Sequence, residues 1–254
     1  MQEQIPSDVF AAPPPRQLSQ RLLDLVFPPR CVGCSHPGEW FCLKCWPKMP
    51  WLPSGHCIHC LSPVTSGRLC AACLQASWVS AGVSPLDPYA VARHEGLARD
   101  AVHQLKYTPH NDIATVMGPV MAERLPDAMK PLVIPVPLHW TRKRQRGFNQ
   151  SFLLARAVAR SRKWPLDGKG LRRVRRTKDQ IGLGHDERRA NVAGAFRWDG
   201  PRIAQPVLLV DDVYTTGSTL NACADALRIA GARKIDAIIF ASASLSRSSD
   251  PEES

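Results

Sequence analysis

Two groups of residues in this sequence have the type and spacing to do chemistry. The first is made of cysteines. Eight of the nine fall in four Cys-x-x-Cys pairs, Cys31/Cys34, Cys42/Cys45, Cys57/Cys60 and Cys70/Cys73, and only Cys223 lies elsewhere. Each pair forms a turn that aims two thiolates at one point, and two such turns make a closed tetrahedral four-sulfur site of the structural kind. Eight thiolates at about four per ion suit about two Zn²⁺ ions. The gaps inside the two halves, from Cys34 to Cys42 and from Cys60 to Cys70, are similar, which favours two ribbons in series, and an interleaved pairing also satisfies the spacing. The N-terminus shows no basic start followed by an apolar core, so a secretory signal is not expected. Thiols in a cytoplasmic chain stay reduced, and their paired spacing then reads as metal binding rather than disulfides. His56 and His59 flank the third pair and are expected to be exposed loop residues. Trp40, Phe41, Trp46 and Trp51 are expected to pack as core, because so small a unit needs metal and large aromatics to hold it.

The second group runs from Val207 to Leu220. Val207, Leu208, Leu209 and Val210 read as a buried parallel strand, with Asp211 and Asp212 at its solvent end. Val213 and Tyr214 follow, then Thr215, Thr216, Gly217, Ser218 and Thr219, where a helix begins. In open α/β sheets, ligands bind at the carboxyl ends of strands. A helix N-terminus offers free N–H groups and a partial positive charge, which suits a phosphate. The hydroxyls of residues 215–219 add donors, and Gly217 lets the backbone come close. Two carboxylates repel phosphate but accept hydrogen bonds from sugar hydroxyls, so the combination describes a ribose 5-phosphate site. A Walker A loop and a Gly-x-Gly-x-x-Gly dinucleotide loop are both absent.

These residues need elements to position them. The chain has 254 residues, 44% of them hydrophobic and 22% charged, which excludes a wholly disordered chain. No apolar run reaches the roughly 18 residues of a membrane span, so no membrane insertion is expected. The pattern predicts a short strand over 89–92, then a helix with Leu97, Ala101 and Leu105 on one face. It predicts a second helix over 113–121 capped by Asn111 or Asp112. A strand over 132–136 follows, near an edge or a strand end because of Pro135. Helices over 149–159 and 218–230 and a strand over 234–241 complete the alternation. The implied fold is α/β, a mostly parallel sheet with helices on both faces, preceded by a small zinc-ribbon domain. The expected units are a disordered lead-in at 1–19, the ribbon domain at 20–79, the α/β domain at 89–243 and a disordered tail at 244–254. One or two helical turns are expected over 21–27 and a linker over 80–88.

The strand, acid pair and Thr-Thr-Gly-Ser-Thr loop resemble the signature of type I phosphoribosyltransferases. That resemblance implies Asp211 and Asp212 as ribose ligands of phosphoribosyl pyrophosphate, with Thr215, Thr216, Gly217, Ser218 and Thr219 cradling its 5-phosphate. Further stretches join it: the four cysteine pairs, then His103-Gln104-Leu105-Lys106-Tyr107, the run Arg146-Gly147-Phe148-Asn149-Gln150-Ser151, and residues 188–196. Together they resemble the ComF family of competence proteins, which includes ComFC and GntX proteins, over about residues 22–242. The resemblance implies a role in DNA uptake, with other uptake proteins as partners and an acceptor that the sequence does not reveal.

Residues 142–178 hold 14 of the chain's 33 Lys and Arg and a single acid, Asp167. So local a positive field suits an anion site or a nucleic-acid track. The resemblance implies that Arg146, in the loop after the first core strand, holds pyrophosphate. It also implies that Arg175, Arg176 and Lys178, in a flexible loop over 172–180, close over the leaving group. Arg and Lys aimed at departing pyrophosphate, with Mg²⁺, would stabilise its growing charge. The surplus charge, with Trp140, Phe148 and Trp164 beside it, also suits single-stranded DNA. Two readings therefore stand: a phosphoribosyltransferase acting on an unknown acceptor, and a non-catalytic phosphoribosyl-binding adaptor for single-stranded DNA.

Overall fold

The computed structural model describes residues 28–76, 86–107, 111–175 and 194–243. The expectations for the lead-in, the turns over 21–27, most of the linker, the tail, Arg176, Lys178 and most of residues 188–196 therefore lie outside the described residues. Four strands form the main sheet: β1 (Tyr89–Arg93), β2 (Leu132–Pro135), and, later in the chain, β5 (Val207–Tyr214) and β6 (Ile235–Ser242). Their order is β1-β6-β5-β2 and every pairing is parallel. Two three-residue strands, β3 (Leu171–Arg173) and β4 (Phe196–Trp198), make a separate antiparallel pair. The helices are α1 (Ala71–Ala76), α2 (Gly96–Tyr107), α3 (Ala114–Glu123), α4 (Trp140–Arg146), α5 (Gln150–Arg162) and α6 (Ser218–Ile229). No described helix is long and apolar enough to cross a membrane.

Alternation along β5 divides the core in two. Leu208 and Val210 face one layer with Val133, Ile238 and Phe240, where α2, α3 and α5 pack. Val207 and Leu209 face the other with Ile134, Ala237 and Ile239, where α6 packs. A strand buried on both faces reads as a continuous apolar run, and residues 207–210 are all 0% exposed. Helix α3 comes close to α5 because Gly118 lies against Ala157, where an added Cβ would sit 2.2 Å from the Ala157 Cβ.

The cysteine ribbons straddle the β1 edge of this sheet. Cys31, Cys42 and Cys45 belong to the α2/α3/α5 layer with Trp40, Phe41 and Trp46. Cys57, Ile58 and Leu69 belong to the α6 layer. Between the ribbons the chain pairs with β1: Leu52 N donates to Val91 O (3.0 Å) and Arg93 N to Pro50 O (2.8 Å). At the opposite edge Val133 N donates to Pro165 O (2.8 Å) and Asp167 N to Val133 O (2.9 Å). Both open edges of the sheet are thus covered by backbone pairing, which blocks edge-to-edge association.

Several expectations need correction. Strand β5 does not stop at Val210 but runs to Tyr214, so the two acids lie inside it, paired to β6, rather than at a solvent end. Residues 140–146 form α4 where a loop was expected, and Arg172 and Arg173 belong to β3 rather than to a flexible loop. The cap of α3 falls on Ile113, with no side-chain hydrogen bond, because residues 111–113 form a 3₁₀ turn ahead of it. By contrast, Asn149 caps α5 by accepting from Ser151 N (3.1 Å), and Pro135 ends edge strand β2, where its missing N–H costs little.

Candidate functional site

The cysteines form two centres in series. The Sγ atoms of Cys31, Cys34, Cys42 and Cys45 lie within 4.8 Å of one another, as do those of Cys57, Cys60, Cys70 and Cys73. This selects consecutive pairing over the interleaved alternative. Cys34 and Cys42 Sγ are 3.6 Å apart, as are Cys60 and Cys70. A zinc tetrahedron with Zn–S of about 2.3 Å has edges of about 3.8 Å, so these thiols fit two structural zinc ions. The knuckles repeat each other's backbone. Cys31 N donates to His36 O and Cys57 N to Ser62 O, both at 2.8 Å. The residue after each first pair, Ser35 and Leu61, is left-handed with φ 61°. The aromatics pack as core, with Phe41 and Trp51 edge-on to Trp46 at 5.3 and 4.8 Å. His59 departs from expectation. It is 4% exposed and lies edge-on to the Tyr214 ring at 5.8 Å, because the second ribbon is pressed onto the sheet.

A polar cluster occupies the carboxyl end of the sheet. Asp211 Oδ1 accepts from Ser151 Oγ (2.7 Å) and from Asp212 N (2.9 Å). Asp212 Oδ1 accepts from Val213 N (2.9 Å), and its Oδ2 lies 2.8 Å from Lys106 Nζ. Asp212 is 5% exposed and Asp211 is half-buried. Burial, then the neighbouring Asp212 charge, push the Asp211 carboxyl up to about 8. Burial works against the Asp212 charge too, but the Lys106 ammonium and the surrounding hydrogen bonds outweigh it and hold that carboxyl below the usual range. The pair therefore keeps one firm charge, on Asp212, and a proton on Asp211. His94, whose N–H donates to Ser242 O (2.7 Å), is held down by burial and by the Lys106 charge.

The loop after β5 turns into α6 at Gly217. Gly217 is left-handed (φ 75°) at the N-cap of α6, and no side chain caps the helix. Thr216 and Ser218 are buried with their hydroxyls 2.8 Å apart, and Thr215 is exposed. An added Cβ on Gly217 would sit 2.9 Å from Tyr214 Oη.

The four basic residues assigned to catalysis divide. Arg146 ends α4 with Nη2 donating to Tyr107 Oη (3.3 Å), Nη1 donating to Gln150 Oε1 (3.4 Å), and its guanidinium over the Tyr107 ring at 4.9 Å. Lys106, which pairs with Asp212, and Tyr107, which meets Arg146, are consecutive residues of α2. Arg175 is exposed just beyond β3, and Arg176 and Lys178 lie outside the described residues. The basic stretch is not one open track. Arg162 reaches back to Ala122 O (2.8 Å) and to Asp127 (2.6 Å), closing the end of α3. Arg172 pairs with Asp199 at 3.3 Å. Trp164 packs against the core with Arg162 over its ring, whereas Trp140 is 63% exposed.

In the sequence, Lys106 and Ser151 stand within motifs that assign them no task. The signal for Lys106 was its position one turn after buried Val102 on the inward face of α2. Ser151 stands in the first turn of α5, a position its cap Asn149 marks.

Residues 22–74 match the family model of the double zinc ribbon domain. The chain is 30% identical to DNA utilization protein YhgH of Escherichia coli (strain K12) over 229 residues, 83% of this chain and 96% of that protein. It is 40% identical to competence protein F of Haemophilus influenzae over 115 residues, 44% of this chain and 48% of the relative. Competence protein ComFC of Streptococcus pneumoniae is 24% identical over 194 residues, 76% of this chain and 84% of the relative. A purine phosphoribosyltransferase structure from Pyrococcus horikoshii aligns with 53% of this chain and 75% of its own, at 22% identity and a TM-score of 0.34.

Proposed function

We propose a function from the premise that this chain belongs to the family of the DNA utilization protein YhgH and the ComF competence proteins. In this reading the protein binds phosphoribosyl pyrophosphate at the carboxyl end of β5 and transfers the phosphoribosyl group to an acceptor still to be found. It works in the cytoplasm, in DNA uptake. One observation carries the reading: an acid pair inside a parallel strand, followed directly by buried hydroxyls and a left-handed glycine that opens a helix. Asp211 and Asp212 meet the ribose hydroxyls, and Thr215, Thr216, Gly217, Ser218 and Thr219 hold the 5-phosphate. Arg146 faces the pyrophosphate, with Arg175, Arg176 and Lys178 closing over it. Mg²⁺ enters with the pyrophosphate as its companion rather than as a resident ion. Among the described residues, only the two cysteine groups bring three or more ligand atoms together.

Calorimetry with phosphoribosyl pyrophosphate, with and without Mg²⁺, tests the binding. Pyrophosphate release against candidate acceptors then tests the transfer. Saturable binding supports the reading, and no heat in either buffer removes it. A second reading, an adaptor for single-stranded DNA, draws on the exposed rings of Trp140 (63%) and Tyr107 (61%) with Arg146 stacked on the latter. Exposed aromatics beside guanidinium groups suit unpaired bases. Binding without pyrophosphate release, together with single-strand binding, would favour it.

A further inference from the structure

The second ribbon touches the phosphate loop by two routes, and the first ribbon by neither. In the first route, His59 stands between Cys57 and Cys60 and packs edge-on against Tyr214 (5.8 Å). Tyr214 is 2% exposed, and its ring and hydroxyl form the wall against which Gly217 turns. In the second route, Arg68, between Cys60 and Cys70, grips Asp87. Its backbone N donates to Asp87 Oδ2 (2.8 Å) and its Nε to Asp87 O (2.7 Å). The adjoining Leu86 N donates to Asn221 Oδ1 (2.9 Å), and Asn221 N donates to Gly217 O (2.9 Å). Tyr214, Leu220, Leu86, Cys57, Ile58 and Leu69 share one core layer. The first ribbon packs in the other layer, where Gly33 meets Leu97 of α2.

We propose that the second ribbon is a positioning module for the phosphate loop, with His59 and Asn221 as positioning residues that set Gly217 through Tyr214 and through the first turn of α6. The loop is a short glycine turn with no side-chain cap of its own, and such a turn takes its order from what packs behind it. The metal-binding fold of Cys57, Cys60, Cys70 and Cys73 thereby becomes a condition for anion binding. The fold of Cys31, Cys34, Cys42 and Cys45 supports α2 instead. The binding half of this inference rests on the phosphoribosyl reading above, and the structural half does not.

The test uses the full chain, purified with its zinc. His59→Ala should keep both metals by atomic absorption, yet speed amide hydrogen exchange over residues 214–221 by roughly tenfold. His59→Phe, which retains a ring against Tyr214, should restore wild-type exchange. Cys60→Ser should speed the same amides, whereas Cys34→Ser should leave them protected. Calorimetry with phosphoribosyl pyrophosphate should show weakened binding for His59→Ala and recovery for His59→Phe. Wild-type exchange in His59→Ala, or equal loosening of 214–221 by Cys34→Ser and Cys60→Ser, overturns the proposal. If wild type binds no phosphoribosyl pyrophosphate, the functional reading fails, and the exchange data still decide the coupling.

Discussion

Asp211→Asn isolates the electrostatics of the acid pair. The amide oxygen keeps its place to accept from Ser151 Oγ and Asp212 N, so the change removes titration and little else. In the folded chain the Asp211 carboxyl is pushed up to about 8, against about 3.9 in an unfolded chain. A raised folded value means that the folded state holds the extra proton. Its stabilising effect is therefore complete below about pH 4 and is lost as pH rises through about 8. One proton gives a slope of at most about 1.4 kcal/mol per pH unit. From about pH 6 to about pH 8 that would reach roughly 2.4 kcal/mol, and the partial exposure of Asp211 reduces it to about 1–2 kcal/mol. Urea unfolding of the zinc-loaded protein at several pH values should show wild type losing this much across the window. Asp211→Asn should run flatter and be the more stable protein at the alkaline end. Parallel curves for the two proteins would refute the assignment of the proton to Asp211.

Other consequences can be measured directly. Lys106→Met strands the buried Asp212 charge, and since Lys106 retains 24% side-chain exposure the expected loss is about 2–3 kcal/mol of unfolding free energy. No loss would mean that the pair is solvated. The purified protein should carry about two zinc ions, and Cys42→Ser about one, by atomic absorption. A wild-type content near one would contradict two complete centres. Gly217→Val should abolish phosphoribosyl pyrophosphate binding by calorimetry, because φ 75° strains the residue and its Cβ would meet Tyr214 Oη, and retained affinity would place the anion elsewhere. Trp140→Ala should weaken single-strand binding by about 1–3 kcal/mol in a gel-shift series if the adaptor reading is right, while Trp164→Ala should act on stability instead.

What was legible in the sequence was local. Cys-x-x-Cys spacing and the run from Val207 to Thr219 each encode a turn whose chemistry is complete within a few residues. Strand and helix alternation then follows from burial on both faces. What was not legible depends on residues far apart in the chain. Lys106 meets Asp212, Ser151 meets Asp211, and His59 meets Tyr214 only because α2, α5 and the second ribbon converge on one sheet end. Helix α4 was hidden because its residues Thr141–Arg146 are polar and offer no apolar period. Strands β3 and β4, three residues each, are too short to show a pattern. Arg162 looks like part of a charged track in sequence but serves as a clasp on α3.

The end of β5 and the loop after it are proposed to form a phosphoribosyl site. The most direct test titrates phosphoribosyl pyrophosphate into wild type, Asp212→Ala and Asp211→Ala in the presence of Mg²⁺, with zinc content checked in each. Asp212→Ala removes a charge-assisted hydrogen bond, so affinity should fall by about 1.5–3 kcal/mol, roughly tenfold or more in Kd, whereas Asp211→Ala removes a hydrogen bond to a protonated carboxyl and should cost about 0.5–1.5 kcal/mol. Asp212→Ala is read beside its unfolding curve, because it also leaves Lys106 without its partner. Folded variants that bind as tightly as wild type would contradict the claim.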